Sequence, residues 1–177
     1  MFLLSEERVS LTMFGLATKA LVTRAIAFAS TMVMSVAVVG SLPKFKERRQ
    51  RYFASAATSG SVYRMQLLHL AGANVNSRGS SGTPLLLAAG EGRVNAVRYL
   101  LDEGADVNLR GLHGNTALTE ATYYGHAPVI KELLMRGGDV NVISIDGTPL
   151  DIAVGRNNSA VIDLLKHYGA KRGNELR

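Results

Sequence analysis

Cysteine and tryptophan are both absent from the 177 residues. Without cysteine there are no disulfides, no thiolate nucleophile and no thiolate metal ligand. Charge is sparse at 19%, but 47% of the residues are apolar, and that balance excludes wholesale disorder. Histidine is also scarce, at positions 69, 113, 126 and 167. No two stand four residues apart and no His-Glu-x-x-His run occurs, so no zinc site is expected. Gly79-Ser80-Ser81-Gly82 is glycine-rich but has no lysine after it, so it does not read as a phosphate loop. Asp106, Asp139, Asp146, Asp151 and Asp163 recur with a repeating unit and read as turn-bonding carboxylates, not as an acid/base pair. The chain is expected to be non-catalytic, with no cofactor and no metal.

Charge is unevenly spread. Residues 1–51 carry 8 Lys+Arg against 3 Asp+Glu, whereas residues 52–177 carry 12 against 11. The sequence pI near 9.8 therefore describes the N-terminal third. A nucleic-acid reader needs a basic face on its folded module, and none is expected here.

Glycine is what the chain has in number, at 18 residues, and much of it is periodic. Gly72-Ala73-Asn74-Val75-Asn76, Gly104-Ala105-Asp106-Val107-Asn108 and Gly137-Gly138-Asp139-Val140-Asn141 superpose without gaps, and Gly169-Ala170 is a degenerate fourth. The steps between them are 32, 33 and 32 residues. Thr83-Pro84-Leu85, Thr116-Ala117-Leu118 and Thr148-Pro149-Leu150 each precede the following glycine by 21 residues. Two landmarks held in one phase over this distance mean stacked supersecondary units.

Each unit reads as turn, helix, turn, helix. In the second, Pro84 sits at the first helical position, where its missing N–H costs nothing. Thr83 is placed to cap the helix N-terminus. Leu85, Ala88 and Ala89 form the short first helix, which Gly90 and Gly92 end. Val94, Val97, Leu100 and Leu101 form the apolar stripe of the second, and Gly104 closes it. The small pair Ala88-Ala89, matched by Ala56-Ala57 and Ala121-Thr122, lets helix pairs approach closely.

These residues resemble the ankyrin repeat, over about 47–173. The second unit matches best. The third has Ala117 in place of the usual proline. The family's histidine after Thr-Pro-Leu is absent throughout, with Leu86, Thr119 and Asp151 in its place. The resemblance implies an all-α solenoid of about four helix-turn-helix repeats (about 47–78, 79–110, 111–142 and 143–173), with 174–177 as a tail. It also implies a non-catalytic protein-interaction module or scaffold, presenting turn tips and first helices as one concave face. The tips fall at 77–82, 109–115 and 142–147. The exposed first-helix positions are Ser55, Leu87, Glu120 and Ile152. The contact patch is expected at Leu109, Arg110, Leu112, His113, Glu120, Tyr123 and Tyr124, because tyrosine and arginine are favoured at binding hot spots. The partner is an unidentified protein. The terminal repeats read as caps with polar outer faces, marked by His69 and Lys166 where inner repeats have leucine. His126 reads as a turn-stabilising or capping residue.

The N-terminal segment has competing readings. Residues 25–42 contain no charge, with 14 apolar or glycine residues and four Ser/Thr. At ~1.5 Å per residue they form an apolar helix of ~27 Å, close to the bilayer core. Residues 1–24 are a flank. Residues 43–51 read as a basic linker merging into the first repeat, with Pro43 as a terminator. Lys44, Lys46, Arg48, Arg49 and Arg51 then suit the cytoplasmic side of a membrane. The expectation is a membrane-tethered module, single-pass, with its repeats cytoplasmic. The alternatives are export, as to a periplasm, after cleavage of a signal peptide, an organelle presequence, and a soluble, cytoplasmic protein whose N-terminal helix caps the solenoid.

Overall fold

The structure, a computed structural model, describes residues 43–111 and 113–176. Eight α-helices and one short 3-10 helix follow one another among the described residues. They are α1 (Pro43–Ser59), α2 (Val62–Leu70), α3 (Pro84–Gly90), α4 (Val94–Asp102), α5 (Ala117–Tyr124), α6 (Ala127–Met135), α7 (Pro149–Gly155) and α8 (Ser159–His167), with the 3-10 turn at Gly173–Glu175. No sheet forms among them; the only strand-like pairings are single bridges, Gly79 with Gly82 and Ser144 with Gly147. Glu47–Arg177 is one unit, an all-α stack of four helix-turn-helix repeats.

Local chemistry explains the period. Thr83 Oγ1 accepts from Leu86 N–H at 3.2 Å. Thr116 and Thr148 do the same for Thr119 and Asp151, whose side chains accept in return from the threonine N–H. Thr119 and Asp151 thus close capping boxes where the family's histidine is missing. At the other end of each repeat, Gly104 N–H reaches Leu101 O and Ala105 N–H reaches Leu100 O. That is the pair of hydrogen bonds of a helix ending in a left-handed residue, and Gly104 has φ 81. Gly72, Gly137 and Gly169 repeat it, which is why glycine recurs there.

Stacking follows from the helix faces. First helices pack on first helices (α3 on α5, α5 on α7) and second on second (α2 on α4, α4 on α6, α6 on α8). Ala88, Ala89, Ala121 and Ala153 are fully buried, as close approach requires, and so are Leu100, Leu133 and Leu165. Gly92 shows how tight the approach is. It has φ 68, and a Cβ there would meet His126 Nδ1 of the next repeat at 2.8 Å. Asn157 occupies the matching place in the last repeat at φ 55, a conformation asparagine tolerates.

An asparagine ladder then ties repeat to repeat. Asn76 Nδ2 donates to Gly104 O at 3.0 Å, and Asp106 N–H donates to Asn76 Oδ1 at 2.8 Å. Asn108 bonds Gly137 and Asp139 in the same way, and Asn141 bonds Gly169 and Lys171. The N-terminal rung is supplied by Gln50 of α1. Its Oε1 accepts from Asn74 N–H at 3.0 Å, and its Nε2 donates to Asn74 O at 2.8 Å and also to Ser77 Oγ.

These findings correct the membrane reading. No helix among the described residues is long and apolar enough to cross a membrane. That overturns the expected single-pass anchor, the membrane association and the cytoplasmic placement of the repeats deduced from it. Residues 25–42, on which the anchor rested, lie outside the described residues, as do 1–24. The basic residues read as a membrane flank belong to α1, which Pro43 opens. Arg48 and Arg51 lie on an exposed helix face, while Phe53, Ala56 and Ala57 of the same helix enter the core. A run of cations is here the solvated side of an amphipathic helix.

Candidate functional site

The first helices and the tips line one face, and grooves run between them. One, about 670 Å³, lies between α1, the Gly79–Gly82 turn and α3. A smaller one, about 200 Å³, lies between that turn and the next tip and is lined by Leu86, His113, Asn115 and Glu120.

The third repeat departs from its neighbours on this face. Tyr123 and Tyr124 stand where the second repeat has Gly90 and Glu91 and the fourth has Gly155 and Arg156. Neither tyrosine serves the core: they are 42% and 58% exposed. Both are nevertheless held. Their rings meet edge-on with centroids 5.1 Å apart. Arg156 of the fourth repeat lies 3.5 Å from the Tyr123 ring centroid, a cation–π contact. Tyr124 stacks on His126 at 6.2 Å. His126 is fixed in turn, its Nε2 donating to Gly90 O of the second repeat at 2.8 Å. The side chain caps no helix; it stabilises a turn across the repeat boundary.

The other expected contact residues fall as follows. Glu120 shares the smaller groove with His113 and accepts from Asn115 Nδ2 at 3.1 Å. Arg110 Nη1 donates to Ile143 O at 3.1 Å, which ties two tips together. Leu109 is half-buried, and Leu112 lies outside the described residues. Glu120, His113, Tyr123 and Tyr124 therefore gather on α5 and the groove beside it, while Arg110 is engaged with the fourth repeat's tip. That tip exposes Ile143 at 55% and Ile145 at 76%. Ile152, expected on the exposed side of its helix, is buried at 7%.

The opposite side carries a different chemistry. Glu132 is 5% exposed and receives Arg98 Nε at 2.8 Å and Arg136 Nε at 3.4 Å. Arg136 also reaches Asp102 at 2.7 Å. Hydrogen bonding to Asp102 and the nearby carboxylates push the Arg136 pKa up against a desolvation that would lower it. The Arg98–Glu132 and Arg136–Asp102 pairs run from the second repeat to the third. They join repeats. His69, expected as a solvated or end-cover residue, works the same way: its Nδ1 donates to Ala73 O at 3.0 Å and its Nε2 lies 3.3 Å from Glu103 of the second repeat. It faces inward along the stack and marks no polar outer face.

Sequence reasoning missed Gln50 and the Asp151 cluster. Asp151 accepts from Arg172 Nε at 2.9 Å, from Gly173 N–H at 2.9 Å, and from Thr148. Burial alone would raise its pKa, but the Arg172, Gly173 and Thr148 bonds outweigh burial and lower it to about 2. Among the described residues no group of three or more His, Cys, Asp or Glu side chains is arranged to hold a metal.

The family model described as "Ankyrin repeats (3 copies)" matches residues 53–144, about half of the chain. Rat "Ankyrin repeat and SAM domain-containing protein 6" is 40% identical over 78 residues, 43% of this chain and 9% of that protein. Mouse "Serine/threonine-protein kinase TNNI3K" is 41% identical over 86 residues, 42% of this chain and 10% of that protein. "Ankyrin repeat-containing protein P1E11.10" of Schizosaccharomyces pombe is 36% identical over 93 residues, 51% of this chain and 44% of that protein. The chain thus spans less than half the length of each of these relatives.

Proposed function

We propose a role in protein binding from one premise: this chain belongs to the ankyrin-repeat family. It acts as a non-catalytic interaction module whose contact surface is the face of first helices and tips. The observation that carries this reading is the Tyr123–Tyr124 pair. It breaks the repeat pattern, stays exposed, and is held by Arg156 and His126 on either side. Large rings fixed before binding lose little entropy on contact, and tyrosine is a favoured anchor. Glu120 lies on the same helix as the anchor and shares a groove with His113, and the tip that carries Leu109, Arg110 and, in sequence, Leu112 completes the surface assigned to the partner. Ile143 and Ile145 extend the apolar area.

Affinity capture with the wild-type chain and a His113→Ala/Tyr124→Ser variant tests the reading. Captured proteins are expected to disappear with the variant at an unchanged melting temperature. Identical captured sets from both chains would place the contact surface elsewhere.

A further inference from the structure

The face of first helices and tips is electrically uneven. Its N-terminal part, in the first two repeats, is cationic. Arg51 and Arg93 line the groove of about 670 Å³ together with Ser55, Ser80, Ser81 and Leu87. Arg48 lines an adjoining hollow that shares Arg51 and Ser55. Arg48 and Arg51 are exposed, and no carboxylate among the described residues pairs with them. Arg93 Nε donates to Thr58 O at 3.2 Å, which fixes the guanidinium at the groove wall. The groove holds one carboxylate, Glu91. Beyond it, in the third repeat, the next hollow carries Glu120 and no arginine or lysine.

We propose that this groove binds an extended peptide segment bearing acidic side chains. The assignment rests on the protein-binding reading above and names the chemistry of the partner at the other end of the same face. Guanidinium groups meet carboxylates through paired N–H bonds, which gives orientation as well as attraction. Serine hydroxyls beside them supply donors for the remaining carboxylate or backbone oxygens. The acidic stretch is short. Glu91 within the groove and Glu120 beyond it would repel a longer polyanion. A nucleic-acid strand carries charge at every phosphate and needs a continuous basic track, which this face lacks. Charge complementarity of this kind sets partner choice and association rate.

The test is selection of a displayed random-peptide library on the full-length protein, followed by fluorescence anisotropy with the selected peptides. The expected result is enrichment of Asp and Glu. Affinity should fall at least about tenfold, equal to ~1.4 kcal/mol, on Arg48→Glu/Arg51→Glu and on replacing the peptide carboxylates with amides. Arg48→Gln/Arg51→Gln should show a smaller loss, and circular dichroism should show all variants folded. Selected peptides without acidic enrichment, or insensitive to both arginine variants, would overturn the assignment while leaving the reading based on Tyr123 and Tyr124 standing. So would a single-stranded oligonucleotide that competes at the same arginines. Failure of the His113/Tyr124 capture experiment would instead remove the wider reading.

Discussion

The two ends of the repeat stack meet the same difficulty with different chemistry. An inner repeat has a neighbour on each side to complete its ladder and cover its apolar stripe. At the C-terminal end, the chain itself turns back. Lys171 N–H donates the ladder bond to Asn141 Oδ1, Lys171 O accepts from Thr148 Oγ1, and Arg172 and Gly173 close on Asp151. The outermost helix shows Lys166 to solvent where α4 and α6 place Leu101 and Leu134, and no large apolar side chain of α7 or α8 is exposed. At the N-terminal end, one side chain, Gln50, supplies the missing rung. Arg64 takes the exposed place that buried Ala96 and Val129 fill in later repeats. Yet Tyr52, Tyr63, Leu67 and Leu70 of α1 and α2 remain 49–84% exposed. Ladder completion and surface polarity are therefore separate requirements. Both ends meet the first; α7 and α8 meet the second, and α1 and α2 do not.

Substitutions can break this comparison, and the largest effect belongs to neither end. Leu133→Ala, in a fully buried inner position, should cost ~2–5 kcal/mol in chemical denaturation. Leu67→Ala, at 49% exposure near the N-terminal end, should cost well under half of that. Equal losses would mean the first repeat is packed like an inner one.

Next in size is the C-terminal closure. Asp151 sits at about 2, below its ordinary 3.8, so it stabilises the folded state while ionised. That contribution, about 2 kcal/mol, is present above pH ~4 and is lost as pH falls toward about 2. Asp151→Asn should remove it at neutral pH and flatten that part of the acid titration of stability. A variant with the wild-type acid profile would show that the tail does not hold the last repeat.

The N-terminal rung should be weaker. Gln50→Ala removes partly solvated bonds and should cost ~1 kcal/mol, with faster hydrogen exchange at the Asn74 amide. Smallest is the uncovered surface. Tyr63→Ser, at 70% exposure, should stay within ~0.5 kcal/mol.

The fold was readable in the sequence because a repeat writes each position several times. Thr83, Thr116 and Thr148 each cap a helix, and Gly104 and Gly137 each end one, so the recurrence exposes the role. The burial of Leu100 and Leu133 follows from the same register. What occurs once was not readable. Gln50 has no counterpart in any other repeat, and the Asp151–Arg172 bond joins residues whose spacing carries no period. The asparagines of the ladder recur visibly, but their partners lie a whole repeat away, so the sequence shows the residue and hides the bond. The basic cluster at 44–51 misled for another reason. Cations after an apolar run suit a membrane edge and a solvated helix face alike, and only the burial of Phe53 and Ala57 on the same helix separates the two. Of the contact residues, Tyr123 and Tyr124 could be found as departures from the repeat. Ile152 was misplaced because the last first-helix carries an apolar side chain at the position that holds Glu120 one repeat earlier.

The measurement that tests the central claim most directly is site-specific photo-crosslinking in the native host. One crosslinker replaces Tyr124 on the face of first helices, and another replaces the exposed Lys131 on α6. The account predicts discrete protein adducts from position 124 and none from position 131. Adducts from 131 alone, or the same adducts from both positions, would contradict it.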